Sequence, residues 1–313
     1  MADPSYTRIN YSVRPNKNVQ RKLIAELCNG LRPDFPIGEY RYVGMGSMWF
    51  SDFVLMHKGL SIADMISIEK DDPKRAEFNK PYKCISVKAG TTSEILPELN
   101  WRKRSIVWLD YDYEITPNVL SDLDFLAQHV SSGSLIIATN DAELKKYRTD
   151  GETEGQAPKR LDALARSFYP SRMPKNAWTT EGFPQVAAAI LGNRLESAVL
   201  HSGRRVEFYR LFDFYYADGA RMVTVGGMVV DISDKKKLQE KLSILKLGYV
   251  GASQQVKIGV PPLTIKEKIH LDTLFPRGKA PSAKKVAFPL DAEQLEAYRK
   301  YYLQYPLFTE VAP

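Results

Sequence analysis

The chain has 313 residues, 44% of them apolar and 26% charged, with a formal net charge of +7. This is the composition of a folded globular protein and excludes disordered and collagen-like classes, while the cationic surplus favours anionic partners but is small for a dedicated nucleic-acid binder. No apolar run approaches the roughly 20 residues of a bilayer span, the start MADPSYTRIN is too polar for a secretory signal, and two cysteines, Cys28 and Cys84, exclude a disulfide scaffold or a cysteine-based zinc site. The expectation is a cytoplasmic protein without membrane association.

Residues 16–31, NKNVQRKLIAELCNGL, read as an amphipathic helix with Val19, Leu23 and Leu27 on one face and Gly30 near its end. Strand and helix then alternate. EYRYV runs into a Gly-Met-Gly bend, and a helix follows through Leu55 to Gly59. ADMISIE, CISVKA and SIVWLDYD are the next three strands. Thr116-Pro117 opens a helix, with the hydroxyl as N-cap and proline at the first helical position. Val119, Leu123, Leu126 and Val130 form its apolar stripe, and SLIIATN reads as a fifth strand, apolar enough to be covered on both faces.

Residues 145–158 are polar with two glycines and read as a mobile loop; two helices follow, through Leu161–Phe168 and Ala187–Leu195. VEFYRLFDFYYADGARMVTVGGMVVD is two strand-like runs about Asp218-Gly219, a dipeptide suited to a type I′ hairpin turn. Five strands with helical crossovers and a final hairpin predict an α/β fold: a doubly wound, Rossmann-like sheet, mostly parallel, closed by an antiparallel hairpin. The expected division is an N-terminal helical segment 1–37, a main domain 38–232, and a C-terminal appendage 233–313 whose last helix carries Leu295, Tyr298 and Tyr302.

In such a sheet ligands bind beyond the carboxyl ends of the strands, at the topological switch point. Gly44, Gly46 and Ser47 follow the first strand, where glycine lets backbone N–H groups approach a ligand. Glu69 ends the second and can accept both hydroxyls of a ribose. Gly90, Thr91 and Thr92 follow the third, with small and hydroxyl side chains to border an adenine. Asp110 and Asp112 lie at the end of the fourth, beside any group attached to that nucleoside.

On the residues YVGMGS, SIEKD, VKAGTTSEIL and SIVWLDYD the chain resembles the class I S-adenosylmethionine-dependent methyltransferases, most closely bacterial O-methyltransferases. LDYDYEITPNVLSDLDFLAQHVSSGSLIIATND is also similar to the corresponding part of tRNA guanine-N2 dimethyltransferases, with Tyr111 in place of their proline. Two departures stand in the glycine motif. Tyr42 replaces the acidic residue two before the first glycine, and Met48 takes the place of the third. The resemblance implies S-adenosylmethionine bound by Gly44, Gly46, Ser47, Glu69, Gly90, Thr91, Thr92 and Asp110. Asp110 and Asp112 are the candidates for holding the acceptor and taking a proton. Asn140 and Asp141, with Asp110, form an oxygen set suited to Mg²⁺.

The expected reaction is O-methylation of an acceptor the sequence does not name. The alternatives are RNA base N-methylation, a non-catalytic S-adenosylmethionine- or nucleotide-binding component of a larger complex, and a nicotinamide-dependent dehydrogenase, which would lack the closing hairpin. RNA or nucleotide binding would need the basic clusters Arg102–Arg104, Arg204-Arg205, Lys235–Lys237 and Lys284-Lys285 to converge. Partner proteins are not legible.

Overall fold

The computed structural model describes residues 14–45, 48–276 and 286–306. Gly46, Ser47, Lys284 and Lys285 lie outside the described residues. Nineteen strands and helices are described: α1 Pro15–Leu31, β1 Arg41–Met45, α2 Ser51–Leu60, β2 Asp64–Glu69, α3 Pro73–Asn79, β3 Ile85–Ala89, α4 Thr92–Ile95, β4 Ser105–Asp110, α5 Pro117–His129, β5 Leu135–Asp141, α6 Leu144–Tyr147, α7 Lys159–Ala165, α8 Phe183–Leu200, β6 Glu207–Asp218, β7 Ala220–Val230, α9 Ile232–Leu245, β8 Val256–Ile258, α10 Ile265–Asp272 and α11 Ala292–Tyr301.

The strands form one eight-stranded sheet in the order β3-β2-β1-β4-β5-β7-β6-β8. Strands β3, β2, β1, β4 and β5 are mutually parallel. β7 runs antiparallel to both its neighbours, β5 and β6, while β8 is parallel to β6. The reversed strand is β7, which lies between β5 and β6. The antiparallel hairpin follows the five parallel strands as expected, and β8 adds a further strand beyond it.

Each sheet face is covered by helices, as the apolar strands require. On one face Val119, Leu123, Leu126 and Val130 of the α5 segment pack with Ile190, Leu191 and Leu195 of α8 against Val107, Leu109, Ile136 and Ala138. On the other, Val19, Leu23 and Leu27 of α1 and Phe53 and Met56 of α2 pack against Tyr42, Trp108 and Phe214. Leu238, Ile258, Leu271, Leu295 and Tyr298, all after residue 232, belong to that same cluster. The C-terminal segment is therefore continuous with the core over α1.

Helix starts follow local chemistry. Thr116 accepts from Val119 N–H at 3.4 Å, with proline next, as the sequence indicated. At the hairpin Gly219 has φ +102, which a Cβ would disfavour. Asp218 is not among the described residues of positive φ, so the turn is not the type I′ form. Its carboxylate has another task. It accepts from the backbone N–H groups of Asn16 (3.2 Å) and Lys17 (2.8 Å), capping the first turn of α1 with a negative charge.

Candidate functional site

The chain leaves β1 for β2 and β3 on one side and leaves β4 for β5 on the other. The switch point is therefore between β1 and β4, which are hydrogen-bonded neighbours with Gly44 opposite Trp108. The carboxyl ends of β1, β2, β3 and β4 place Gly44, Glu69, Gly90 and Asp110 along one edge of the sheet.

Gly44 is a close-packing position. A Cβ there would meet the Tyr42 ring and hydroxyl at 3.0 Å and Phe53 at 3.2 Å. Tyr42, buried where an acid was expected, donates its hydroxyl hydrogen bond to Asp52 at the start of α2. Burial pushes the Asp52 carboxyl up and the Tyr42 phenol well up. Asp52, at the start of α2, thus sets a carboxylate against the Tyr42 hydroxyl.

Glu69 is buried at the end of β2, and its Oε1 accepts from Asp71 N–H at 3.0 Å and Asp72 N–H at 3.4 Å. Burial raises its pKa, opposed by those two amides. Oε2 has no hydrogen bond among the described residues, so the carboxylate is oriented with one oxygen still able to accept. Gly90 has φ +148 and donates its N–H to Glu69 O at 3.0 Å.

The two hydroxyls that the sequence offered to an adenine have protein partners. Thr91 caps α4 in a reciprocal capping box with Glu94, and Thr92 donates to Asp122. Asp122 also accepts from Tyr111 OH at 2.8 Å and from Ser93 Oγ at 2.7 Å. This buried carboxylate on α5 ties the loop after β3 to the loop after β4. The sequence analysis passed over it, because one acid in a helix carries no signal until its partners are known.

Asp110 and Asp112 part company. Tyr111 between them is fully buried with its ring turned to Asp122, which leaves Asp112 exposed. Asp110 accepts from Lys17 Nζ at 2.8 Å; the lysine side chain is 3% exposed and the aspartate 34%. Nζ also stands 4.9 Å from the Trp108 ring centroid and 5.4 Å from that of Tyr216. Burial pushes the Lys17 amine down to about 8, against the pull of Asp110.

Lys17 belongs to a buried polar stripe of α1: Asn16, Lys17, Gln20 and Arg21. Their i, i+1, i+4, i+5 spacing is visible in the sequence, but such a stripe reads as a solvated face. Here it is covered because α1 is held at several points. Asn16 Nδ2 donates to Ala217 O and Asp218, Val260 N–H donates to Asn16 Oδ1 at 2.8 Å, and Tyr249 OH donates to Leu23 O at 2.9 Å.

The Mg²⁺ set is not assembled. Asp141 accepts from Glu143 N–H at 2.7 Å and pairs with Lys146, Asn140 donates to Tyr113 O, and among the described residues no three His, Cys, Asp or Glu side chains gather as metal ligands. Several of the basic residues are paired within the chain: Lys103 with Asp64, Arg104 and Lys237 with Asp234, Lys235 with Glu207. Arg204 caps the carbonyl end of α5 through Val130 O at 2.6 Å. Among the described residues no helix is long and apolar enough to cross a membrane.

No curated protein matches the sequence. Solved structures are similar to it at low identity. An O-methyltransferase from Bacillus cereus in complex with SAH is 12% identical, covering 72% of this chain and 84% of that one, with a TM-score of 0.40. The O-methyltransferase TomG from Streptomyces achromogenes, in complex with SAM, is 12% identical over 68% and 79%, with a TM-score of 0.38. Trm1 from Pyrococcus horikoshii with S-adenosyl-L-methionine is 10% identical over 73% and 58%, with a TM-score of 0.42. One family matches residues 9–313, nearly the whole chain, so the chain belongs to the family described as "Putative O-methyltransferase".

Proposed function

We propose that this protein transfers the methyl group of S-adenosylmethionine to an oxygen nucleophile bound over Asp110, in a reducing cytoplasm. The observation that carries the reading is the switch point itself. The sheet order brings two acids, Glu69 and Asp110, to the carboxyl ends of strands flanking β1, which supports a ribose-binding role for the first and an acceptor-side role for the second. The donor set fits the cofactor: Glu69 is held by two amides with Oε2 left to accept from a ribose hydroxyl, and Asp110 is a third open to an incoming group.

Bound S-adenosylmethionine supplies a methyl already activated by its sulfonium. The protein's own work is to hold the acceptor oxygen in line and to manage one proton. The Asp122 network fixes the two loops that flank the nucleoside, and Asp110 presents its carboxylate where the acceptor arrives.

Calorimetry with S-adenosylhomocysteine tests the reading. Wild type is expected to bind, and Glu69→Gln to weaken binding by about 1.5–3 kcal/mol, the worth of a charge-assisted contact. Binding of NAD instead would sink it. Labelled S-adenosylmethionine offered to bacterial extract, split into RNA, protein and small molecules, then separates acceptors. Label in the small-molecule fraction supports O-methylation; label in RNA moves the assignment to a base methyltransferase.

A further inference from the structure

Lys17 is a poor choice for holding α1 in place. A buried ion pair is weak as a stabilising device, since apolar residues of similar size often do as well. The helix has apolar contacts through Val19, Leu23 and Leu27, and Asp218 already caps its first turn. Yet the amine is carried to the end of β4, between Trp108 and Tyr216, and set against the aspartate nearest the switch point. The pair is lopsided: Lys17 is closed off while Asp110 is open, so an entering molecule meets Asp110 with the amine behind it. One turn further along the buried face Gln20 is fully buried, and neither its Oε1 nor its Nε2 has a hydrogen-bond partner among the described residues. A buried amide without partners costs free energy, which a polar ligand over this stripe would recover.

We propose that Lys17, acting through Asp110, is the group that finally holds the proton of the methyl acceptor. This rests on the methyltransferase reading above. In the step, the acceptor O–H bond breaks as its proton passes to the open Asp110 carboxylate, which hands it on to the neutral Nζ of Lys17 at 2.8 Å. The oxygen takes the methyl, and the electron pair of the S–CH3 bond stays on sulfur. The new ammonium is held by Asp110 until it releases the proton to solvent.

The charged groups that set the amine's protonation are Asp110 on β4 and Asp52 on α2, which favour the ammonium, and Arg21 on α1, which opposes it. Burial outweighs them and brings the amine down to about 8, so a useful neutral fraction exists near neutrality.

The test uses the full chain and three readouts. In protein carrying ¹³C at lysine Cε, with the Lys17 signal assigned by its loss in Lys17→Met, the expected midpoint is near pH 8, moving lower in Asp110→Asn. A midpoint near 10.5 overturns the proposal. With labelled S-adenosylmethionine and the small-molecule fraction of bacterial extract, wild-type labelling is expected to fall about tenfold per pH unit below 8. Lys17→Met and Lys17→Arg should each label at least 100-fold more slowly, because neither offers a neutral amine. Their affinity for S-adenosylhomocysteine should stay within about threefold of wild type, as expected for a group that acts on the acceptor. Turnover of either folded variant close to wild type overturns the proton role. If wild type fails to bind S-adenosylhomocysteine, the donor reading falls and takes this one with it. If it binds but labels nothing, the proton role alone falls.

Discussion

Replacing Lys17 by methionine should change how stability depends on pH, and the size of the effect follows from burial. The amine lies at about 8 in the folded chain against an ordinary lysine value of 10.5. That difference corresponds to about 3 kcal/mol, since each pH unit is worth about 1.4 kcal/mol. Below pH 8 the folded and unfolded chains both hold the proton, and the folded state carries the whole penalty of a buried ammonium. Between 8 and 10.5 the unfolded chain keeps a proton that the folded chain has lost, so stability rises with pH. Above 10.5 the penalty is gone.

Methionine has similar length and no charge, so Lys17→Met lacks this rise. The buried tyrosines Tyr42, Tyr111 and Tyr216, whose phenols are pushed well up, are common to both proteins and cancel in the comparison. Urea unfolding at pH 7.5, 8.5, 9.2 and 10 is the assay, conditions set by the window just given. The wild-type stability minus that of Lys17→Met should grow by about 2–3 kcal/mol across the series. Curves that stay parallel would mean that Lys17 titrates as a solvated lysine, and the reasoning from its burial would be refuted.

Asp122→Ala should destabilise by about 2–5 kcal/mol, because it leaves the hydroxyls of Thr92 and Tyr111 buried without an acceptor. Chemical denaturation measures it, and a loss under 1 kcal/mol would show the network to be dispensable. Gly226→Ala, in the middle of β7, puts a methyl 2.2 Å from the Phe212 ring. That ring is stacked on Phe214 at 4.7 Å and has little room to turn, so the cost should be about 1–3 kcal/mol with a lowered Tm. An unchanged Tm would show that the ring moves freely.

Much of this protein could be read along the chain. Alternation of short apolar runs with helical stripes located β1 to β5 and α5, because a strand buried on both faces must be apolar throughout and a helix lying on it must be apolar on one side. Positions at strand ends followed from that, so Glu69 and Asp110 were identified as candidates before their surroundings were known. What the sequence could not supply was pairing across distance. Asp218 looked like a turn residue only, and it also caps the first turn of α1. Thr91 and Thr92 looked free to border a ligand and are engaged by Glu94 and Asp122.

The same limit hid Lys17. Periodicity says which residues share a helix face, but not whether water or protein covers that face. The apolar stripe of α1 packs on the core as its spacing indicated. Its polar stripe is covered as well, since the tip of the β6–β7 hairpin, Val260 and Tyr249 all bind the helix from segments about two hundred residues away. Desolvation is a property of the assembled surface, and burial lowers the Lys17 pKa only once that surface has closed over it.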